Sequence, residues 1–146
     1  MKVRDILGDK GRRVVTIRPD ASVSTAVHRL VLEKIGALVV SEDGHHVAGI
    51  ISERDVVRAL VSDGAELLAP GHRVADLMTK NVITCTMEDT VKHLMAEMTR
   101  RRIRHIPVLE DGQLAGIVSI GDVVKNRLGE VEMEATVLRE AYIAAH

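Results

Sequence analysis

Two stretches of the sequence carry one pattern: Gly49-Ile50-Ile51-Ser52-Glu53-Arg54-Asp55 and Gly116-Ile117-Val118-Ser119-Ile120-Gly121-Asp122. Each opens on Gly, runs through two β-branched residues, turns polar at Ser and reaches Asp three residues later. The apolar pair reads as the end of a buried strand. Ser-x-x-Asp then reads as a helix start, with Ser as the cap and an acid in the first turn. A strand that runs into a helix N-terminus gathers a hydroxyl, a carboxylate and unpaired backbone N–H groups at one corner. Such a corner can hold a sugar hydroxyl through Asp, and a phosphate through Ser and the amides. One copy alone would be an ordinary capping motif. Two copies in register argue for more.

The repetition runs along most of the chain. Thr16, Val23, Ile35 and Val40 return 68 positions later as Thr84, Val91, Ile103 and Val108. Glu42-Asp43-Gly44 returns as Glu110-Asp111-Gly112, after which one residue is lost, so Gly49, Ser52 and Asp55 return 67 positions later. The leaders agree as well, Val3-Arg4-Asp5-Ile6-Leu7 with Val74-Ala75-Asp76-Leu77-Met78, and the first copy carries three extra residues before its first strand. Two copies are too few for a solenoid and suggest a pseudo-two-fold pair with ligand clefts where the copies meet.

Periodicity supplies the elements. The first copy reads as a helical turn at 3–7, a loop at 8–11 and a strand at 14–17. A helix follows, capped by Asp20 or Ser22, apolar at Val23, Val27, Leu30 and Val31, and ended by Gly36. Strands at 37–40 and 47–51 flank the Glu42-Asp43-Gly44 turn, and a helix at 53–62 turns Val56, Val57 and Leu60 inward. The second copy repeats this with a strand at 82–84, a helix at 89–100, strands at 106–109 and 113–118, and a helix from Ile120. The chain thus divides into a first repeat (1–62), a linker (63–73), a second repeat (74–128) and a helical extension (129–146). Each repeat is β-α-β-β-α behind a leading turn, an α+β arrangement of two small sheets covered by helices and packed together. Along the last helix Val124, Leu128, Val131, Ala135, Leu138 and Tyr142 form a heptad-like stripe, weakened at Gly129. Its expected place is against a second subunit, with packing onto its own domain as the alternative.

Composition removes several function classes. With 146 residues the chain is long enough for a sizeable core, and 46% apolar with 28% charged residues is ordinary for a globular protein. A net charge of −1 gives no general attraction for nucleic acid or anionic membrane. One Tyr, with no Phe or Trp, leaves no stacking platform for single strands, so a bound purine would lie between aliphatic walls. Cys85 stands alone, which excludes an internal disulfide and suits a reducing compartment as a small buried residue. No apolar run approaches a membrane span and the first residues do not form a signal peptide, so the expected location is cytoplasmic. The seven histidines (28, 45, 46, 72, 93, 105 and 146) lack metal-ligand spacing. His45-His46 falls on an exposed hairpin, and His105 is the one placed near a cleft.

The doubled Gly-h-h-Ser-x-x-Asp, the βαββα order and the strand Arg104-His105-Ile106-Pro107-Val108 resemble the CBS domain, named after cystathionine β-synthase. The resemblance runs from Val3 to about Leu128 and implies a tandem pair, a Bateman module, with no enzyme domain attached. It implies a regulatory protein that binds an adenosine-containing ligand (AMP, ADP, ATP, NADH or S-adenosylmethionine) between the repeats, and two pairs associated as a flat homodimer. Carried over residue by residue, Asp55 and Asp122 match the ribose carboxylates, and Ser52 and Ser119 the hydroxyls near ribose or phosphate. Thr16-Ile17 and Thr84-Cys85, with Ala37-Leu38-Val39 and His105-Ile106-Pro107, match the adenine-facing walls. A carboxylate can accept both ribose hydroxyls while strand backbone pairs with the adenine edge, so only the shape of the wall must be apolar.

The cations are unequally shared. Arg54 precedes Asp55 where Gly121 precedes Asp122, and Gly36-Ala37 is answered by Arg104-His105. Within Arg100-Arg101-Arg102-Ile103-Arg104, the first two suit a helix C-terminus, while Arg104 enters a strand beside the cleft and suits phosphate. Arg54 and Arg104 are therefore the candidates for the phosphate end, and spacing leaves open which cleft receives each. Two other functions compete with the nucleotide sensor. One is a small nucleotide-processing enzyme pairing Asp55 or Asp122 with His105, although an acid–base pair should break the symmetry that both copies keep. The other is a ligand-free structural or stress-related dimer.

Overall fold

The computed structural model describes residues 1–145. Its elements are α1 (Val3–Lys10), β1 (Thr16–Ile17), α2 (Val23–Glu33), β2 (Ala37–Val40), β3 (Gly49–Ser52), α3 (Glu53–Asp63), a 3-10 helix (Gly64–Leu68), α4 (Val74–Leu77), β4 (Cys85–Thr86), α5 (Val91–Arg101), β5 (His105–Glu110), β6 (Gln113–Ser119) and α6 (Ile120–Ala145). Two three-stranded sheets result, ordered β1-β2-β3 and β4-β5-β6, each with one parallel and one antiparallel pairing. The parallel pairs need a crossover, which α2 and α5 supply. The α+β tandem arrangement read from the repeat is thus the observed one.

Register confirms the alignment of the copies. Ile17 pairs with Val40 in β2, and Cys85 with Val108 in β5; Ala37 faces Ser52, and His105 faces Ser119. Local signals also match. Ser22, rather than Asp20, caps α2 by accepting from the Thr25 amide, and Thr90 caps α5 by accepting from His93. Each cap contributes roughly 1 kcal/mol. Asp111 and Gly112 both take positive φ, the requirement of a tight two-residue hairpin turn. In the first copy only Gly44 does so, while Asp43 Oδ1 accepts the His45 and His46 amides in a longer loop, which is where the extra residue goes.

Several expected boundaries shift for tertiary reasons. The segment at 8–11 is not a loop to its start: α1 continues to Lys10 and stops at Gly11, with φ 91°. Of residues 14–17 only Thr16 and Ile17 pair, and the strand expected at 82–84 lies at Cys85–Thr86. Gly36 does not end α2; Lys34 does, in the left-handed conformation with φ 54°, matched by Arg102 in α5. On α3 only Val56 turns inward, Val57 and Leu60 being exposed. The stretch at 63–73 is more than a connection, since its Leu67 is fully buried in the core of the first repeat.

The leaders are exchanged between the copies. Val3, Ile6 and Leu7 of α1 belong to the core containing Cys85, Leu94, Ile106 and Val118. Val74 of α4, with Leu77 and Met78 against it, belongs to the core of Ile17, Leu30, Leu38 and Ile51. Backbone bonds fasten the exchange: Val3 donates to Asp89 and Arg4 to Met87, while Val74 donates to Ala21 and Ala75 to Pro19. This explains the Gly that opens each motif. A Cβ on Gly49 would stand 2.7 Å from Met78 Sδ and 2.9 Å from the Thr79 carbonyl oxygen; one on Gly116 would stand 2.7 Å from Leu7 Cδ1.

The C-terminal stripe is left largely exposed among the described residues. Val124, Leu128, Val131, Leu138 and Tyr142 are exposed, and along α6 only Val123 is buried. Packing of the stripe onto its own domain, the alternative left by the sequence, is therefore not observed. His146 lies outside the described residues. Cys85 is buried, which pushes its thiol up to about 12 and removes thiolate chemistry at neutral pH. No helix of the described residues is long and apolar enough to cross a membrane.

Candidate ligand-binding clefts

Both Ser-x-x-Asp corners form as capping boxes. Asp55 Oδ2 accepts from the Ser52 amide at 2.8 Å and its hydroxyl at 3.1 Å; Asp122 Oδ2 accepts from the Ser119 amide at 2.8 Å and its hydroxyl at 2.9 Å. Each Asp thus fixes its own helix start with one oxygen. The other oxygen has no hydrogen bond among the described residues and can accept from a ligand.

Around Asp55 the two copies enclose a cleft of about 1100 Å³. The first copy contributes Gly36, Ala37, Ile50 and the stretch Ser52 to Asp55, with Arg58 one helical turn beyond Arg54. The second contributes Thr79, Asn81, Val82 and Ile83, then Met98, Thr99 and Arg101 to His105, and Ser119 to Gly121. The question left open by spacing is answered here: Arg54 and Arg104 line the same cleft. Arg58, Arg101 and Arg102 join them, and Arg54 is braced by donating to the Arg102 carbonyl oxygen at 3.0 Å. Arg101 is spent on Glu97, whose carboxyl its hydrogen bond and that of Arg100 hold below the usual range. Arg54, Arg58, Arg102 and Arg104 have no carboxylate partner among the described residues.

His105 lies between the copies. Its ring packs against Gly36, where a Cβ would stand 3.1 Å from Cε1, so Gly36 is needed for close approach rather than for helix termination. Burial lowers the His105 pKa, with Glu53 and Asp122 opposing and Lys10 and Arg104 adding to the effect.

The other expected site residues are distributed differently. Ala37, Ser52, Asp55 and Ser119 line the cleft with Arg54, Arg104 and His105. Thr16, Ile17, Val39, Thr84 and Pro107 do not. Ile17 is buried in the first core, Val39 and Pro107 are buried on the opposite face of their strands from the cores, and Thr84 is exposed. Asn81, Val82 and Ile83 replace them as wall, a placement that carries no local sequence signal. Arg58 could have been found from its spacing to Arg54.

Asp122 stands outside this cleft and already has a cation. Lys10 Nζ donates to Asp122 Oδ2 at 2.7 Å and to the Ile117 carbonyl oxygen at 2.9 Å. Partial burial pushes the Asp122 carboxyl up, but the Lys10 bond and charge, with the Ser119 amide and hydroxyl, outweigh it and hold the carboxyl below its ordinary range. No group of three metal-ligating side chains occurs among the described residues; His46 is bonded to Asp43 at 2.6 Å within its hairpin.

The family model for the CBS domain matches residues 3–62 and 74–129. A CBS domain-containing protein of Agrobacterium tumefaciens is 50% identical, covers 87% of this chain and 99% of its own, and superposes with a TM-score of 0.82. The CBS domain pair of protein MJ0100, solved in complex with 5′-methylthioadenosine and S-adenosyl-L-methionine, is 27% identical over 89% of this chain and 98% of its own, with a TM-score of 0.77. Among curated relatives, the mitochondrial CBS domain-containing protein CBSX3 of Arabidopsis thaliana is 38% identical over 84% of this chain; the chain spans 63% of that relative's length.

Proposed function

The chain belongs to the CBS domain family, and from that premise we propose that it is a regulatory module holding one adenosine-containing ligand in the Asp55 cleft, phosphate end toward the arginines. One observation carries the reading: a carboxylate with a free oxygen stands in a cleft that also gathers Arg54, Arg58, Arg102 and Arg104 without carboxylate partners. Asp55 accepts the ribose hydroxyls, the aliphatic wall of Ala37, Ile50, Val82, Ile83 and Met98 encloses the base, and the guanidinium groups read phosphate. The adenosine ligands of the MJ0100 pair support the class of ligand. The arginines favour AMP, ADP, ATP or NADH over the cationic S-adenosylmethionine, and so a module that responds to energy or redox state by altering its hold on a protein partner. An acid–base enzyme is disfavoured, because both copies keep the Asp, whereas an acid–base pair should break that symmetry.

Thermal unfolding against adenosine, AMP, ADP, ATP, NADH and S-adenosylmethionine tests this. Free ligand at about a hundred times its dissociation constant should stabilise the fold by roughly 2.7 kcal/mol. Phosphorylated ligands should act at lower concentration than adenosine, and a preference for S-adenosylmethionine would reject the phosphate reading. The exposed stripe on α6 favours homodimerisation in addition, with the stripe covered by a second copy. Light scattering at micromolar concentration should give a dimer, and removal of residues 130–146 should weaken it.

A further inference from the structure

We propose that Lys10 is a built-in occupant of the second corner, so that each chain takes one adenosine-type ligand rather than two; this rests on the ligand reading above. The leaders align 71 positions apart, Val3 with Val74 and Leu7 with Met78, which sets Lys10 opposite Asn81. Asn81 is neutral and lies on the wall of the Asp55 cleft. Its counterpart is a cation bonded to the carboxylate itself.

The exchange of leaders places it there. In the Asp55 corner, the chain leaves α4 at Leu77, and the Thr79 amide satisfies the Ile50 carbonyl oxygen at 2.9 Å. In the Asp122 corner α1 stays helical to Lys10, so no backbone amide fills that role, and the Lys10 ammonium bonds the equivalent Ile117 carbonyl oxygen. The same ammonium closes on Asp122, whose Oδ2 therefore receives three donors where Asp55 Oδ2 receives two from Ser52. The two side chains are partly covered, at 32% and 22% exposure, so screening by solvent weakens the pair without removing it. Asp122 Oδ1 stays unbonded among the described residues, but a ribose that takes both oxygens, as a carboxylate accepting two hydroxyls does, must displace the Lys10 ammonium, a handicap of about ten- to a hundredfold in affinity. The corner also lacks two of the four arginines: the positions matching Arg54 and Arg104 are Gly121 and Gly36, while Arg58 and Arg102 are answered by Lys125 and Lys34.

Lys10→Met removes the ammonium while keeping the length of the chain's side arm, and Lys10→Gln provides a polar alternative should Met disturb the helix end. Calorimetric titration of the full-length protein with AMP, and separately with adenosine, reads the number of sites. Wild type should bind one AMP per chain. Lys10→Met should keep that site and add a second, weaker one that adenosine fills nearly as well as AMP. The double variant Lys10→Met, Asp122→Ala should lose only the added site. Two sites in wild type, or one site in both Lys10 variants, would overturn the proposal while leaving the ligand reading intact. No binding of either compound by any variant would overturn that reading, and this inference with it.

Discussion

Asp55 and Asp122 occupy the same point of two equivalent folds, each closing a capping box on the Ser three residues before it. Around Asp55 the neighbours are four guanidinium groups without carboxylate partners and an aliphatic wall. Around Asp122 the neighbour is one ammonium already bonded to it. The motif therefore fixes a helix start in both places, and what differs is the charge set beside it. Pseudo-symmetry of sequence gives a pair of scaffolds; asymmetry in a few charged positions leaves one Asp in a cleft lined by guanidinium groups without carboxylate partners and the other bonded to an ammonium.

The largest effect that separates the corners is expected in binding. Asp55→Ala should weaken AMP about ten- to a hundredfold, the worth of a charge-assisted hydrogen bond at roughly 1.5–3 kcal/mol. Asp122→Ala should affect binding only once Lys10 has been replaced. Calorimetry giving equal losses for both single variants would break the comparison. Stability should separate the copies next. Gly49→Ala drives a Cβ against the Thr79 carbonyl oxygen, a backbone atom, whereas Gly116→Ala meets only the end of the flexible Leu7 side chain. Overpacking typically costs about 1–3 kcal/mol, and the Gly49 variant should lie at the upper end, the Gly116 variant at the lower. Urea titration with the order reversed would mean that the two leaders are not held as described.

Two pH effects are smaller and opposite in what they probe. The Asp122 carboxyl is held below its ordinary value of about 3.9, so its pairing stabilises the fold above that value and the stabilisation fades as pH falls through the native pKa. The difference in melting temperature between wild type and Lys10→Met should therefore shrink on acidification below about pH 4. A difference that stays constant to pH 2 would show that the ion pair contributes nothing. His105 is lowered chiefly by burial, so the unfolded chain takes up its proton first as pH falls through about 6.5. Its contribution is intact above that pH and is lost below it. His105→Gln should flatten the fall in melting temperature between about pH 7 and 5.5, by no more than a few degrees. An unchanged slope would assign the fall to other groups.

How much of this was legible follows from distance along the chain. A cap at Asp20 or Ser22, the Glu110-Asp111-Gly112 turn and the Ser-x-x-Asp helix starts are each written within a few positions. They could be read because hydrogen bonds between residues three or four apart depend on local identity. Repetition at 68 and 67 positions added the pairing of the copies without any structure. Val57 and Leu60 misled because an apolar residue at helical spacing is not thereby buried, and Gly36 misled because its missing side chain serves a histidine 69 positions away.

By itself, then, the sequence determined the elements, their order, the duplicated α+β scaffold and the chemistry available at each corner. Only the tertiary structure decided that the leaders change partners, that Arg54 and Arg104 share one cleft, and that Lys10 reaches Asp122 across 112 positions. The physical reason is that these placements minimise no local term. They follow from where two whole copies bury their apolar faces, and a charge is carried to its partner by packing that involves neither residue.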